Sequence, residues 1–198
     1  MTIETNEQLD HRVDEARASV GPARPTPPAT GHDVEFPLLV QDTSLAELCH
    51  AAVEDVSERY PDRIVQYAPD TAPGAGAWDP RRISYAVTIL LEDALQRTKP
   101  DEPVFLRWRE HDGEVVIRVQ YPRPLERGDR VVSLFEGGVR PDGADDSVPT
   151  LRLLVARKIL LQHGGELARV RTHAGTTYVA TLPRQVPPPS STEANEVE

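Results

Sequence analysis

The segment LRLLVARKILLQHGGELARVRTHAGTTYVATLPR, residues 151–184, decides the fold of this chain. Its first half predicts a buried helix, which ends where Gly164 can take the left-handed C-terminal conformation. Its second half predicts two strands joined by a tight Ala174-Gly175 turn. The apolar positions expected on the helix are Leu151, Leu154, Val155, Ile159 and Leu161.

Immediately upstream, residues 122–149 contain Pro, Gly and Asp and show no hydrophobic period, so we expect a long loop of the kind that is often functional. A β-hairpin is predicted before this loop. Its two strands alternate apolar with polar positions on either side of the turn residues 111–114. The apolar positions are Val104, Leu106 and Trp108 on one strand and Val115, Ile117, Val119 and Tyr121 on the other.

Two further helices are predicted in the first half of the patterned region. Leu45, Leu48, Ala52, Val53 and Val56 recur at helical spacing, after a cap supplied by Asp42, Thr43 or Ser44. Cys49 is expected to be half-buried on this helix and not a nucleophile, because no activating base is evident.

A short strand is expected at residues 64–68, and the pair Asp79-Pro80 then begins a second helix. That helix is apolar on more than one side, which predicts a central position. The predicted elements indicate an α/β two-layer sandwich. Their order is helix, strand, helix, hairpin, loop, helix and strand pair. The sandwich has a mixed sheet with helices on one face.

The two ends of the chain differ in composition from its middle. We expect residues 1–33 to form a disordered Pro-rich arm, residues 34–185 one domain, and residues 186–198 a disordered acidic tail. The net charge of -10 without a basic stripe argues against binding to nucleic acid or to anionic membranes. With one cysteine, no signal peptide and no apolar run of membrane-spanning length, the expected compartment is the cytoplasm.

Segments spread along the chain resemble, in the same order, the ATP-binding domain of sensor histidine kinases, which has the Bergerat fold. They are SLAELCHAAVEDVSERYPDR (44–63), WDPRRISYAVTILLEDALQRT (78–98), VVIRVQYPRPLERGDRVVSLFE (115–136) with its LFE at 134–136, and the closing segment. The resemblance covers about residues 44–184. It implies a nucleotide-binding fold that functions in bacterial signalling.

The resemblance also implies which positions once held the nucleotide. The family's magnesium-binding asparagine falls on Asp93, whose carboxylate is itself a suitable ligand for a hard cation. The lysine and tyrosine that often follow that asparagine become Gln96 and Arg97. The adenine-reading aspartate falls on Tyr121, whose ring would occupy the space of the base.

Glycines of the family fall on four larger residues: Arg123, Leu125, Thr150 and Arg152. Side chains there would obstruct the close approach of backbone to nucleotide. Arg123 and Arg152 instead suggest contacts to an anion or a partner, or pairing with an acid such as Glu126 or Asp93 that seals the cleft. Glu92 is expected to form a structural ion pair, with a base role as the alternative, and His163 to be a helix-end residue favoured by the dipole.

These substitutions predict a degenerate, stand-alone domain that is a protein-binding module or adaptor in signalling, with ATP binding weak or lost and no cofactor. The alternative is an ATP- and Mg²⁺-binding subunit of a split histidine kinase or of an anti-sigma-like system. A helical hairpin of the dimerisation and phosphoacceptor type is not recognisable ahead of the domain, which argues against phosphotransfer.

Overall fold

The computed structural model describes residues 37–68, 74–122, 151–172 and 175–185. The three helices in these ranges are α1 (Leu45–Arg59), α2 (Pro80–Gln96) and α3 (Leu151–Gln162). The seven strands are β1 (Gln41–Ser44), β2 (Val65–Ala68), β3 (Ala75–Trp78), β4 (Val104–His111), β5 (Glu114–Tyr121), β6 (Glu166–Thr172) and β7 (Gly175–Pro183). The predicted arms and nearly all of the predicted long loop lie outside the described residues.

Five of the strands form one mixed sheet in the order β2-β4-β5-β7-β6. Only the β2–β4 pair is parallel within this sheet, and the other three pairs are antiparallel. The predicted hairpin is confirmed. Its two-residue turn places Asp112 at φ 50° and Gly113 at φ 80°, the left-handed conformations that such a turn requires.

The helices pack on one face of this sheet, as predicted, and the main core lies between the two layers. Helix α2 is central, because its buried residues contact both neighbouring helices and strands β4 and β5. Cys49 on α1 was expected to be half-buried but is fully buried. Burial raises the pKa of its thiol to about 12, which keeps it protonated.

The prediction for the buried face of α3 was wrong. Leu151, Leu154, Val155 and Leu161 are 41–79% exposed, and of the predicted positions Ile159 alone is buried. The face that packs on the core consists of Leu153, Ala156, Ile159 and Leu160. Leucines occur on every side of this helix, so their spacing does not define a single stripe.

A second sheet, which the sequence did not predict, pairs β1 with β3 antiparallel. It is attached to the end of the large sheet by Trp78. The indole Nε1 of this fully buried side chain donates to the Pro183 carbonyl at 2.7 Å. The backbone N–H of Ala77 donates to the Arg184 carbonyl at 2.8 Å, so β3 leads into α2 at a fixed position beside β7. None of the helices in the described ranges is long and apolar enough to cross a membrane.

Candidate functional site

The C-terminal end of α2 carries a buried carboxylate that is already engaged by a cation. Asp93 is 5% exposed. Its Oδ2 accepts from Arg97 Nε at 2.6 Å, and its Oδ1 accepts from Arg97 Nη2 at 3.3 Å. This bidentate pair is a strong form of the arginine–carboxylate interaction. The hydrogen bond to Asp93 raises the pKa of Arg97 above its usual range, so the guanidinium stays charged.

Tyrosines from the sheet approach the same carboxylate. The hydroxyl of Tyr178, on β7, donates to Asp93 Oδ2. Burial raises the pKa of Tyr178 well above its usual value, so this hydroxyl remains a donor. The Tyr121 hydroxyl lies 3.4 Å from that of Tyr178, and the ring centroids are 5.7 Å apart. Both tyrosine rings are fully buried.

Tyr121 ends β5, and the neighbouring strand approaches it very closely. Gly175 is the first residue of β7, with φ 142°. A Cβ added at Gly175 would lie 2.4 Å from the Tyr121 carbonyl oxygen. Glycine therefore permits both the backbone conformation and the contact that places Tyr121 beside Thr176 in the sheet.

Glu92, the residue before Asp93, forms a separate ion-pair cluster that links all three helices. It is 1% exposed. Its Oε1 pairs with Arg59 at the end of α1, and its Oε2 pairs with Arg152 in the first turn of α3. The two arginine side chains are 43% and 44% exposed. The structural ion pair expected at Glu92 is present, and a carboxylate held from both sides is poorly placed to activate water.

The opposite end of α2 is closed by hydrogen bonds to the Asp79 carboxylate and to the imidazole of His163. His163 follows the last residue of α3, so the helix-end position expected for it is confirmed, and its side chain is fully buried. Its Nε2 accepts from the Asp79 N–H at 3.1 Å, and its Nδ1 lies 2.7 Å from the Ile159 carbonyl. Burial lowers the pKa of His163, so the ring is neutral, with Nδ1 the donor. The dipole explanation is therefore wrong.

Of the six positions assigned to the ancestral nucleotide site, the structure describes Asp93, Tyr121 and Arg152. It brings Asp93 and Tyr121 together through Tyr178. Arg152 pairs with Glu92. The sequence had suggested Glu126 or Asp93 as its partner. The other three positions, Arg123, Leu125 and Thr150, lie outside the described residues.

The sequence analysis did not single out Tyr178, whose hydroxyl contacts Asp93, or the arginines Arg169 and Arg171 on the neighbouring strand. Arg169 lies opposite Tyr178 and Arg171 opposite Thr176 in the β6–β7 pair. Residues 167, 169 and 171 share one face of β6, because side chains alternate along a strand. That alternation is visible in the sequence ELARVRT. Which of the two faces packs on the core is shown by the structure, which places Leu167 in the core cluster.

The arrangement is a poor fit to Mg²⁺ and adenine. A metal ion at Asp93 would compete with Arg97 for both carboxylate oxygens. A base at the position that the resemblance implies would have to displace the fully buried ring of Tyr121. Within the described ranges no group of three or more His, Cys, Asp or Glu side chains is placed to hold a metal ion.

Comparison with known proteins shows the fold. No protein-family model and no curated protein matches the chain. Among solved structures, the mycobacterial sensor histidine kinase MprB is 20% identical, with a TM-score of 0.56 over 74% of this chain and 99% of that one. The nucleotide-free catalytic domain of histidine kinase ThkA is 17% identical, with a TM-score of 0.60 over 77% of this chain and 100% of that one.

ThkA in complex with the response regulator TrrA also matches. It is 16% identical, with a TM-score of 0.57 over 90% of this chain and 48% of that one. At these identities the comparisons establish the fold alone: the chain has the α/β sandwich of histidine kinase catalytic domains.

Proposed function

We propose that this chain acts in signal transduction as a non-catalytic protein-binding module or adaptor, with ATP binding weak or lost. The observation that carries the proposal is the buried network of Asp93, Arg97, Tyr178 and Tyr121. It occupies the positions where the resemblance assigns the magnesium-binding and adenine-reading side chains. The fold provides a rigid surface for a partner. The polar side chains at these positions form hydrogen bonds and an ion pair with one another.

The energetics favour loss of nucleotide affinity. Separating a buried carboxylate from its guanidinium partner costs about 3–5 kcal/mol. Because each 1.4 kcal/mol is about a tenfold change in affinity, displacing Arg97 alone would weaken metal-nucleotide binding by on the order of a hundredfold or more. Moving the Tyr121 ring out of the core adds to this cost.

The partner that suits this proposal is a signalling protein. ThkA, which shares the fold, is found in complex with a response regulator. A response regulator is therefore the first partner class to test. An acidic chain of net charge -10 is a poor match for nucleic acid or an anionic membrane, and we propose a cytoplasmic setting.

Calorimetry with ATP and excess Mg²⁺ tests whether ATP binding is weak or lost. We expect no saturable heat at millimolar ATP from the full chain, while its thermal melt confirms that it is folded. A dissociation constant in the low micromolar range would overturn the proposal. It would favour instead an ATP- and Mg²⁺-binding subunit of a split kinase or an anti-sigma-like system.

A further inference from the structure

Helix α3 exposes an apolar stripe on the side that faces away from the core, which we call the outer face of α3. Its apolar side chains are 41–79% exposed and recur about one helical turn apart, with the exposed Lys158 among them. A helix with apolar residues on all sides is typical of a position that is covered on all sides. The outer face therefore has the character of a docking surface. Its apolar residues are Leu151, Leu154, Val155 and Leu161.

Helix α2 extends this surface. Arg82 in the first turn of α2 donates to Gln162 at the end of α3 at 3.1 Å, and Glu92 in the last turns of α2 pairs with Arg152 at the start of α3. The two helices are therefore neighbours that run antiparallel. Tyr85, one turn after Arg82, is 49% exposed and adds an aromatic ring to the solvent side of the same helix layer.

The chain enters the described domain beside this surface. The carbonyl of Pro37 accepts from Arg82 Nη2 at 3.2 Å, and Nη1 of the same guanidinium donates to Gln162. Residues 21–36, if extended as a Pro-rich linker, span up to about 50 Å. Helix α3, with 12 residues, is about 18 Å long. A segment before residue 21 can therefore reach any part of the outer face, at an effective concentration on the order of millimolar.

The sequence ahead of that linker contains the signals of one amphipathic helix, NEQLDHRVDEARASV at residues 6–20. Thr5 with Gln8 three positions later is a capping box, and Gly21-Pro22 is a typical helix stop. A helix of this length is marginal in water by itself, in keeping with the disorder expected for the arm, and becomes stable when its apolar stripe is covered. That stripe consists of Leu9, Val13, Ala16 and Val20.

Charge distinguishes this segment from a second copy of the protein as the occupant. The sequence of α3 contains no acidic residue, and the exposed Arg81 lies one turn before Tyr85 on α2. A second outer face would bring no α3 carboxylate to this surface. Residues 6–20 would bring four acidic and two basic side chains, so their net charge is opposite in sign to that of α3.

We propose that residues 6–20 form a helix that docks, within the same chain, on the outer face of α3 beside Tyr85. Apolar contact supplies most of the attraction, and the opposite net charges of the two helices favour this occupant. The docked helix covers an exposed surface that a signalling partner would otherwise meet. Docking does not require the adaptor role proposed above, and it involves none of the positions assigned to the nucleotide.

Hydrogen exchange of the full chain tests the docking. We expect amides of residues 7–20 to exchange at least about tenfold more slowly than in a synthetic peptide of residues 1–36, because a docked helix protects its amides. Leu154→Gln, which places a polar group in the outer face, should reduce this protection about threefold or more. Ile64→Gln is the matched control, since Ile64 is 44% and Leu154 42% exposed. It lies beside β2, at the opposite edge of the sheet from β6, and should leave the protection unchanged.

Two results of this experiment would overturn the docking. One is exchange of residues 7–20 at the rate of the free peptide, and the other is an equal loss of protection in Leu154→Gln and Ile64→Gln. Leu9→Gln supplies an independent variant if Leu154→Gln does not fold, because it alters only the arm. It should lose protection about as far as Leu154→Gln does, and full retention would contradict the proposed contact.

Disulfide trapping identifies the occupant. Val13→Cys combined with Val155→Cys pairs the middle of one stripe with the middle of the other, so it detects docking in either direction. We expect an intramolecular disulfide to form at least about fivefold faster than in Val13→Cys with Arg107→Cys, an exposed position on the opposite face of the sheet. The native Cys49 is fully buried and does not compete. Equal rates, or a disulfide that joins two chains, would overturn the proposal, and the second would identify a second copy as the occupant.

Discussion

The two ends of helix α2 satisfy buried polar groups in opposite ways. At the N-terminal end, Asp79 caps the helix through the Arg82 N–H at 3.1 Å, and its own N–H donates to neutral His163. At the C-terminal end, Glu92 and Asp93 are both buried and both held by arginines. One end is built mainly from hydrogen bonds to backbone groups, and the other from ion pairs.

The difference shows where the chain concentrates its buried charges. A helix junction needs no buried charge pairs, and hydrophobic replacements of such pairs are often neutral or stabilising. Charges concentrated at the C-terminal end therefore indicate a place where polar chemistry was, or still is, required. That end coincides with the positions that the resemblance assigns to metal and nucleotide.

The largest expected effect comes from removing the cation at the charged end. Arg97→Met should leave Asp93 buried with its charge uncompensated and lower the free energy of unfolding by about 3 kcal/mol. The matched control is Arg82→Met at the other end of the helix. Arg82 contacts Asp79 at 3.4 Å but is 24% exposed, so this change should cost about 1 kcal/mol or less. Urea unfolding of both variants measures the contrast.

A second substitution sharpens this result. Adding Asp93→Asn to Arg97→Met removes the stranded charge and should recover at least half of the loss, as a double-mutant cycle would show. If Arg97→Met and Arg82→Met cost the same, the two ends do not differ in the way described.

Glu92→Gln is expected to have the next largest effect. It removes the negative charge shared by Arg59 and Arg152 while keeping the shape of the side chain. We expect a loss of about 2 kcal/mol, moderated because both arginines can turn towards solvent. Glu58→Gln, at an exposed position on α1, is the control and should change stability by less than about 0.5 kcal/mol. Equal effects would show that Glu92 is not the link between the helices.

Much of the fold was predictable because its signals are local. The Asp79-Pro80 start of α2, the two-residue hairpin turn and the left-handed Gly164, at φ 75°, all appear in a few consecutive residues. The small β1–β3 sheet was not predicted, since its strands are four residues long and β3 is AGAW. The buried face of α3 was mistaken because leucines surround that helix.

The site was less predictable because its partners are distant in sequence. Resemblance placed Asp93 and Tyr121, but the hydroxyl that joins them belongs to Tyr178, 85 residues after Asp93. Arg152 was expected at the nucleotide, yet its contact is with Glu92. The side chains that pair across layers depend on strand register and helix rotation, which a single sequence does not specify.

The N-terminal end of α2 can be tested by removing its cap. Asp79 accepts from the N–H groups of Arg82 and Leu39, both at 3.1 Å. Asp79→Ala should therefore lower the free energy of unfolding by about 1.5 kcal/mol. Asp79→Asn retains an acceptor and should cost about a third as much. If the two variants are equally unstable, the charge of Asp79, which also contacts Arg82, matters more than its hydrogen bonds to backbone groups.

The smallest effect expected is a pH dependence due to His163. Its pKa is lowered in the folded state, so the unfolded chain binds a proton first as the pH falls below about 6.5. Stability should be flat above about pH 7 and should decline towards pH 5.5 by about 1 kcal/mol or less. His163→Gln keeps an acceptor for the Asp79 N–H but cannot titrate. Its unfolding free energy should therefore fall less steeply over this window, whereas the exposed His50 and His111 remain in both proteins. Identical slopes for the two proteins would mean that His163 takes up a proton equally well when folded, and the N-terminal end of α2 would then not depend on a neutral imidazole.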